Sequence, residues 1–228
     1  MRRDNMYIYA MSNIKEIVKD KISDKKHLLN KKFNRTDNFI NLTLAGVQKC
    51  VGNRVLDKET SIYIASHNGN LNTTIKVLND IFIEKKLPMP FNFLNTVNSV
   101  KLFYVAKNFN LAGKGIFVDR FESALPQAFV DIKQGKTVLL GVVTEAISDL
   151  DLHREKFGDG EIEESSRWLF LSHTTIANEA HIAKIEEFKL HPFTKAKTNE
   201  AELFSFLESD EELFEFRGEN LSFKVQKP

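Results

Sequence analysis

The chain reads as α/β, a layered fold in which helices cover a mixed sheet, and three observations predict it. Residues 138–143 (VLLGVV) are an unbroken apolar run of strand length, which suits a strand buried on both faces. Helical stripes and apolar strands alternate through the middle of the chain, as expected of a sheet with helices on both sides. The last third has a more antiparallel character. At 228 residues the chain can bury a sizeable core, and it is read as one domain, 1–228.

Taken in order, Ile14, Ile17, Val18 and Ile22 follow helical spacing within the highly charged stretch 4–32 and predict a first helix. Phe39, Leu42, Gly46 and Cys50 mark a second, with Cys50 on its apolar stripe. Residues 61–66 (SIYIAS) are a short strand, and His67-Asn68-Gly69-Asn70 a turn. The following helix sets Leu71, Thr74, Ile75, Leu78, Ile81 and Phe82 on one face, and LPMPF breaks it. Residues 95–109 predict another helix, buried because 102–106 are apolar on most sides. Gly113 and Gly115 lead into a strand at 116–121. Leu125, Ala128, Phe129 and Ile132 form a helical stripe ended by Gly135. The polar stretch 148–166 is the clearest loop. Beyond it come strands at 167–171 and 182–188, a helix near 200–208 and a terminal strand near 221–225.

Composition narrows the partners. Lys and Arg total 32 against 31 acidic residues, so a net charge near +1 gives no electrostatic case for nucleic acid or a membrane surface. No apolar run approaches the roughly 20 residues that cross a bilayer, and charge comes too early for a signal peptide. One cysteine, Cys50, leaves no internal disulfide and suits a reducing compartment, so the cytoplasm is the expected location. Nineteen Phe against one Trp and four Tyr tilt the chain toward apolar contact, whether core, partner interface or acyl channel.

Several motifs carry little chemistry. Gly135-Lys136-Thr137 looks like the end of a phosphate-binding loop, but Val130 stands where that loop needs Gly, and the order is helix into strand. His67, Asn68, Gly69 and Asn70 precede a helix and are a candidate anion site; the plainer account is a turn in which Asn70 caps the helix. His27, His153, His173, His181 and His191 are scattered without metal-ligand spacing, so no metal is expected. Cys50 reads as a small core residue.

The functional question lies in 115–146, GIFVDRFESALPQAFVDIKQGKTVLLGVVTEA, a strand, a sharp turn, a helix and an apolar strand. Enzymes seat nucleophiles on such strand-to-helix turns. Here Val118, Asp119, Arg120, Phe121 and Glu122 fill the window, with neither Cys nor Ser, and the nearest hydroxyl is Ser123.

These pieces resemble the N-terminal half of β-ketoacyl synthases, thiolase-fold enzymes that condense acyl chains. The matching segments are NTVNSVKLFYVAKNFNLAGKG, IFVDRF, ESALPQAFVDIKQG and KTVLLGVVTEA, the last similar to the family's glycine-rich strand and its following acidic residue. More closely, the chain resembles the short ketosynthase-like chain length factors of aryl-polyene-type pathways, traced in NKKFNR (30–35), IASHNGNLNTT (64–74) and PMPFNFLNTV (88–97). The likeness spans 28–145, with C-terminal strands and a helix at 146–228 outside it. Asn98-Ser99 stand where the family often has a His-Asn pair.

The resemblance implies a thiolase-like layered fold corresponding to the N-terminal half of a ketosynthase. Counting from Gly113 puts the family's cysteine at Glu122, and counting back from Gly135 puts it near Val118. The family's two active-site histidines come from a C-terminal half that this chain is too short to contain fully. His173, His181 and His191 lack the family's neighbouring glycines. Acyl transfer needs a nucleophile, a base and oxyanion donors, so the expectation is no catalytic residue, no autonomous condensation and no cofactor.

What remains is a partner role. Thiolase-fold proteins pair through the strand before the nucleophile, here predicted at 116–121. The expected partner is a full-length, Cys-bearing ketosynthase in a heterodimer, or a second copy, with an acyl carrier protein as a further candidate. Phe93, Asn95, Asn98, Phe103, Phe117 and Phe121 are the candidate interface or acyl-tunnel residues. Two alternatives stand beside this. Glu122 in an apolar pocket would have a raised pKa and serve as acid or base, for instance in malonyl-thioester decarboxylation. A self-associating module without a role in acyl synthesis is the other.

Overall fold

The structure, a computed structural model, describes residues 6–23, 25–29, 33–173, 176 and 179–228. Strands β1 (Met6–Ile17), β2 (Ser61–Ala65), β3 (Gly115–Val118), β4 (Val138–Thr144), β5 (Glu163–Ser172), β6 (Ala183–Leu190), β7 (Leu213–Arg217) and β8 (Leu221–Gln226) form one sheet. Its order is β3-β2-β4-β5-β1-β6-β8-β7. β2 runs parallel to β3 and to β4. The other pairings are antiparallel, as the last third of the sequence suggests. The helices are α1 (Asn38–Val51), α2 (Leu71–Phe82), α3 (Pro90–Asn95), α4 (Val100–Phe109), α5 (Phe121–Lys133), α6 (Leu150–Phe157) and α7 (Glu200–Glu208).

The strand period of two divides the core. Ile62, Ile64, Leu139 and Val143 point to the face covered by α1 and α4, with Trp168 between them. Tyr63, Ala65, Val138, Leu140 and Val142 point to the opposite face, covered by α5 and α7. β4 is therefore buried on both sides, as its sequence predicts. Close approach of α1 depends on two glycines. A Cβ on Gly46 would lie 2.1 Å from Ser166 Oγ, and one on Gly141 would lie 2.4 Å from the Trp168 ring.

The two ends of the sheet close on α5. Ala124, Leu125, Ala128 and Ile132 share one core with β2 and β4 and also with Phe216, Phe223 and Val225 of the far strands. The Phe121 ring meets Phe216 at 5.9 Å, and Phe129 meets Phe188 at 4.8 Å. Burying such side chains contributes roughly 1.5–3 kcal/mol for each Leu, Ile or Phe. The helix that follows β3 is thus held from both directions.

Several expectations are corrected. The predicted first helix is β1, whose Tyr7 to Ile17 pair with β5 from Ser172 to Glu163, while Met6 to Ile8 also pair with β6. β5 supplies hydrogen bonds along β1 to Ile17, with β6 adding its own only at the start, and no local spacing reveals either. The strand at 116–121 ends at Val118, and Phe121 already opens α5. The helix at 95–109 is two, α3 and α4, separated by a turn. Only Lys101 and Val105 of α4 are buried, so that helix is amphipathic rather than enclosed. On α2 the buried residues are Thr73, Val77 and Asp80, while Leu78, Ile81 and Phe82 face out. The stretch 148–166 contains α6 and the start of β5. Strand β7 has no counterpart in the sequence reading. Asn30, Lys31 and Lys32 of NKKFNR lie outside the described residues.

Candidate functional site

The strand-to-helix turn is present. β3 ends at Val118, and Arg120 sits in extended conformation as the N-cap of α5 without a capping side chain. Its charged groups are all engaged. Asp119 accepts from Ser123 Oγ at 2.9 Å, and Arg120 reaches Glu219 at 2.6 Å. Glu122 Oε2 accepts from the amides of Glu219 at 2.7 Å and Asn220 at 3.4 Å, in the turn joining β7 to β8. Gly218 permits this, since a Cβ there would lie 2.5 Å from the Glu122 carboxyl. Two backbone donors hold a carboxylate in place, so the apolar pocket that the acid–base reading of Glu122 requires is not what surrounds it.

The interface candidates separate into two groups. Phe93 on α3 and Phe103 on α4 are each 59% exposed. Phe121 is buried against α5's own core, and Phe117 packs partly buried on the α1 side of the sheet. Asn95 is buried, its Nδ2 donating to Arg35 O at 3.0 Å. Asn98 Oδ1 accepts from Asn70 N at 3.3 Å.

The turn 67–70 behaves as a cap. Asn70 Oδ1 accepts from Thr73 N at 3.3 Å, and its Nδ2 donates to Asp37 Oδ2 at 2.6 Å. Thr73 Oγ1 donates to the same carboxylate at 3.0 Å. A carboxylate already occupies this helix start, which disfavours the anion site considered for His67, Asn68, Gly69 and Asn70. These contacts also explain the rotation of α2: its polar face is drawn toward Asp37, leaving the apolar stripe outside. Burial pushes the Cys50 thiol up to about 12, consistent with a packing role.

A buried polar layer lies at the carboxyl end of β4; the resemblance touches it through the acidic residue after VVT, and the candidate Asn95 borders it. Glu145 is 1% exposed; its Oε2 reaches Asn72 N at 3.5 Å, while Oε1 has no partner among the described residues. Burial, with lesser contributions from Asp37 and Glu164, pushes its carboxyl up to about 8. Lys101, wholly buried, donates to the carbonyls of Asn95 at 3.0 Å and Val97 at 3.3 Å. Burial pushes its ammonium down to about 8, against the opposing pull of Asp37 and Glu145. Glu164 receives the buried Lys25 ammonium at 2.9 Å. The signal for this layer was a single Lys inside VKLFYV and an acid directly after an apolar strand. Among the described residues no three His, Cys, Asp or Glu side chains gather to hold a metal, and no helix is long and apolar enough to cross a membrane.

This arrangement of sheet and turn has solved counterparts. The ishigamide ketosynthase/chain length factor aligns with a TM-score of 0.68 at 13% identity, over 82% of this chain and 67% of that one. The chain has the thiolase-like fold. A ketosynthase in complex with its chain length factor from Xenorhabdus doucetiae aligns at 0.59 and 14% identity, covering 83% and 77% of the two chains. A β-ketoacyl synthase from Burkholderia phymatum aligns at 0.61 and 12% identity, covering 86% and 67%. No family model and no curated protein matches the sequence. In this thiolase-like chain, β3 is an edge strand and α5 is the helix that follows the seat.

Proposed function

We propose that the chain is a non-catalytic ketosynthase-like subunit of the chain length factor type. It pairs with a Cys-bearing ketosynthase that builds a fatty acyl or polyene chain delivered on an acyl carrier protein. The observation that carries this reading is the seat itself: the turn from β3 into α5 is kept, while Val118 to Glu122 offer no thiol or hydroxyl. An unreactive seat on an edge strand works by shape. β3 lies at one end of the sheet and leaves one side of its backbone open to strand addition. Phe82, Met89, Phe93 and Phe103, all exposed on the segment that leads to β3, supply apolar area for a partner. Two of the solved counterparts are ketosynthase/chain length factor assemblies, which supports the same partner chemistry.

The test is co-expression with a full-length ketosynthase and an acyl carrier protein from the same cell. The expected outcome is a one-to-one complex with an altered product length. Phe103→Glu should leave the melting temperature unchanged, because the ring is exposed, yet weaken the complex about tenfold or more. A chain that self-associates and leaves the ketosynthase's rate and product untouched would favour the self-associating module instead.

A further inference from the structure

The carboxyl end of β4 opens into a cavity of about 830 Å³ that the seat does not share. It lies between the first turn of α1, one side of α2 and the segment from Glu145 to Leu152. Its walls carry five carboxylates, Asp37, Asp80, Glu84, Glu145 and Asp149, against two ammonium groups, Lys76 and Lys86. Lys86 is already taken by Asp80 and Glu84. The hydrogen-bond partners of the other three carboxylates are neutral; the buried Lys101 ammonium also pulls on Asp37 and Glu145, but donates its own hydrogen bonds to the carbonyls of Asn95 and Val97. Asp37 receives Ile40 N, Asn70 Nδ2 and Thr73 Oγ1; Asp149 receives the amides of Asp151 and Leu152; Glu145 receives Asn72 N.

Among the described residues of this cavity, the buried polar atoms without a partner are Glu145 Oε1 and Asn38 Oδ1. Asn38 Oδ1 is an acceptor, and Glu145 Oε1 is one once its carboxyl is ionised. A buried acceptor left unpaired is costly, so whatever completes it must donate. The same layer shows what a buried carboxylate takes here: Glu164 is matched by an ammonium, that of Lys25. Among the described residues no three His, Cys, Asp or Glu side chains converge as a metal ion would require.

We propose that this cavity binds a small organic ammonium compound, with the Glu145 carboxylate as its innermost counter-charge and Asp37 and Asp149 beside it. The groups facing Glu145 set the pH behaviour: Asp37 ahead of α1, Lys76 and Asp80 on α2, Lys101 on α4, Asp149 at α6, and Glu164 with Lys25. Burial holds the Glu145 carboxyl near 8, so it is mostly protonated at neutral pH. An arriving ammonium keeps its own protons, pairs with the carboxylate and sends the Glu145 proton to solvent. Binding therefore strengthens as pH rises toward 8.

The experiment titrates the whole protein with 1,4-diaminobutane and, in parallel, with the neutral isostere 1,4-butanediol. Carbon NMR of the glutamate carboxyls and calorimetry are the readouts. The diamine should bind, release protons and lower the Glu145 titration midpoint by about one unit or more, while the diol does neither. Glu145→Gln should weaken diamine binding about tenfold or more and abolish proton release. If that variant fails to fold, the wild-type titration still decides. An unmoved midpoint, or a diol as effective as the diamine, overturns the proposal.

Discussion

The ends of β3 and β4 flank the same strand, β2, and point the same way, yet they differ in every electrostatic respect. At β3, Asp119, Arg120 and Glu122 are exposed or half-buried, and each has a partner of opposite polarity. At β4, Glu145 is enclosed and one of its oxygens has no described partner. Position in the sheet explains the contrast. β3 is an edge strand, so its end is open to water, and its charges are paired through the β7–β8 turn. β4 is interior, covered by α1 on one face and α5 on the other, so its acid is desolvated and titrates far from its ordinary range. The β3 turn holds charges that are paired and open to solvent; the β4 end holds an acid whose titration burial has shifted.

Glu145→Gln tests that contrast with the largest expected effect. An unfolded glutamate titrates near 4.5 and the folded one near 8. Between those values the folded state retains a proton that the unfolded state has lost, so stability falls as pH rises, by about 1.4 kcal/mol per unit. Glutamine mimics the protonated acid and has no such slope. The variant should match wild type near pH 5 and exceed it by on the order of 3 kcal/mol near pH 8, read from urea unfolding across that range. Parallel pH profiles for the two proteins would place the Glu145 carboxyl in contact with water.

The two regions were also unequally legible. The turn from β3 into α5 follows from local pattern: β4's apolar run, the Leu125-Ala128-Ile132 stripe, and Gly113 and Gly115 at the entry to β3. The cavity depends on distant residues meeting. Asp37 joins Asn70 and Thr73 from 33 and 36 positions away, and Asn72 donates to Ala146 O across 74. The same limit explains β1, whose Tyr7 to Ile17 find their partner in the distant β5, and β7, which has no counterpart in the sequence reading and is held where Phe216 stacks on Phe223 at 4.7 Å. It explains α2 as well. Its hydrophobic stripe was visible, but which side the fold would bury was decided by polar contacts with Asp37.

A smaller effect is expected at the seat. Glu122→Ala removes the acceptor of two turn amides at a half-buried site, which costs roughly 1–2 kcal/mol. Glu122→Gln keeps one acceptor oxygen and should cost less than half of that. Both are read from the midpoint of denaturant unfolding. Neither should change the turnover of an acyl thioester by a complex with an active ketosynthase. A change there, with stability intact, would restore a catalytic role to this residue and erase the difference between the two strand ends.

The smallest effect distinguishes a quiet seat from a working one. Arg120 and Glu219 form a contact at 2.6 Å with side chains 48% and 40% exposed. Solvent and salt screen such a pair, so Arg120→Ala should cost no more than about 0.5 kcal/mol in the isolated chain. Arg120 also borders the open edge of β3, where the proposed partner would dock. Its loss would then alter the salt dependence of complex formation while leaving the unfolding curve nearly unmoved. A large loss of stability would mean instead that the β7–β8 turn seals the end of β3 from within, and an edge sealed in that way has nothing left to offer a second chain.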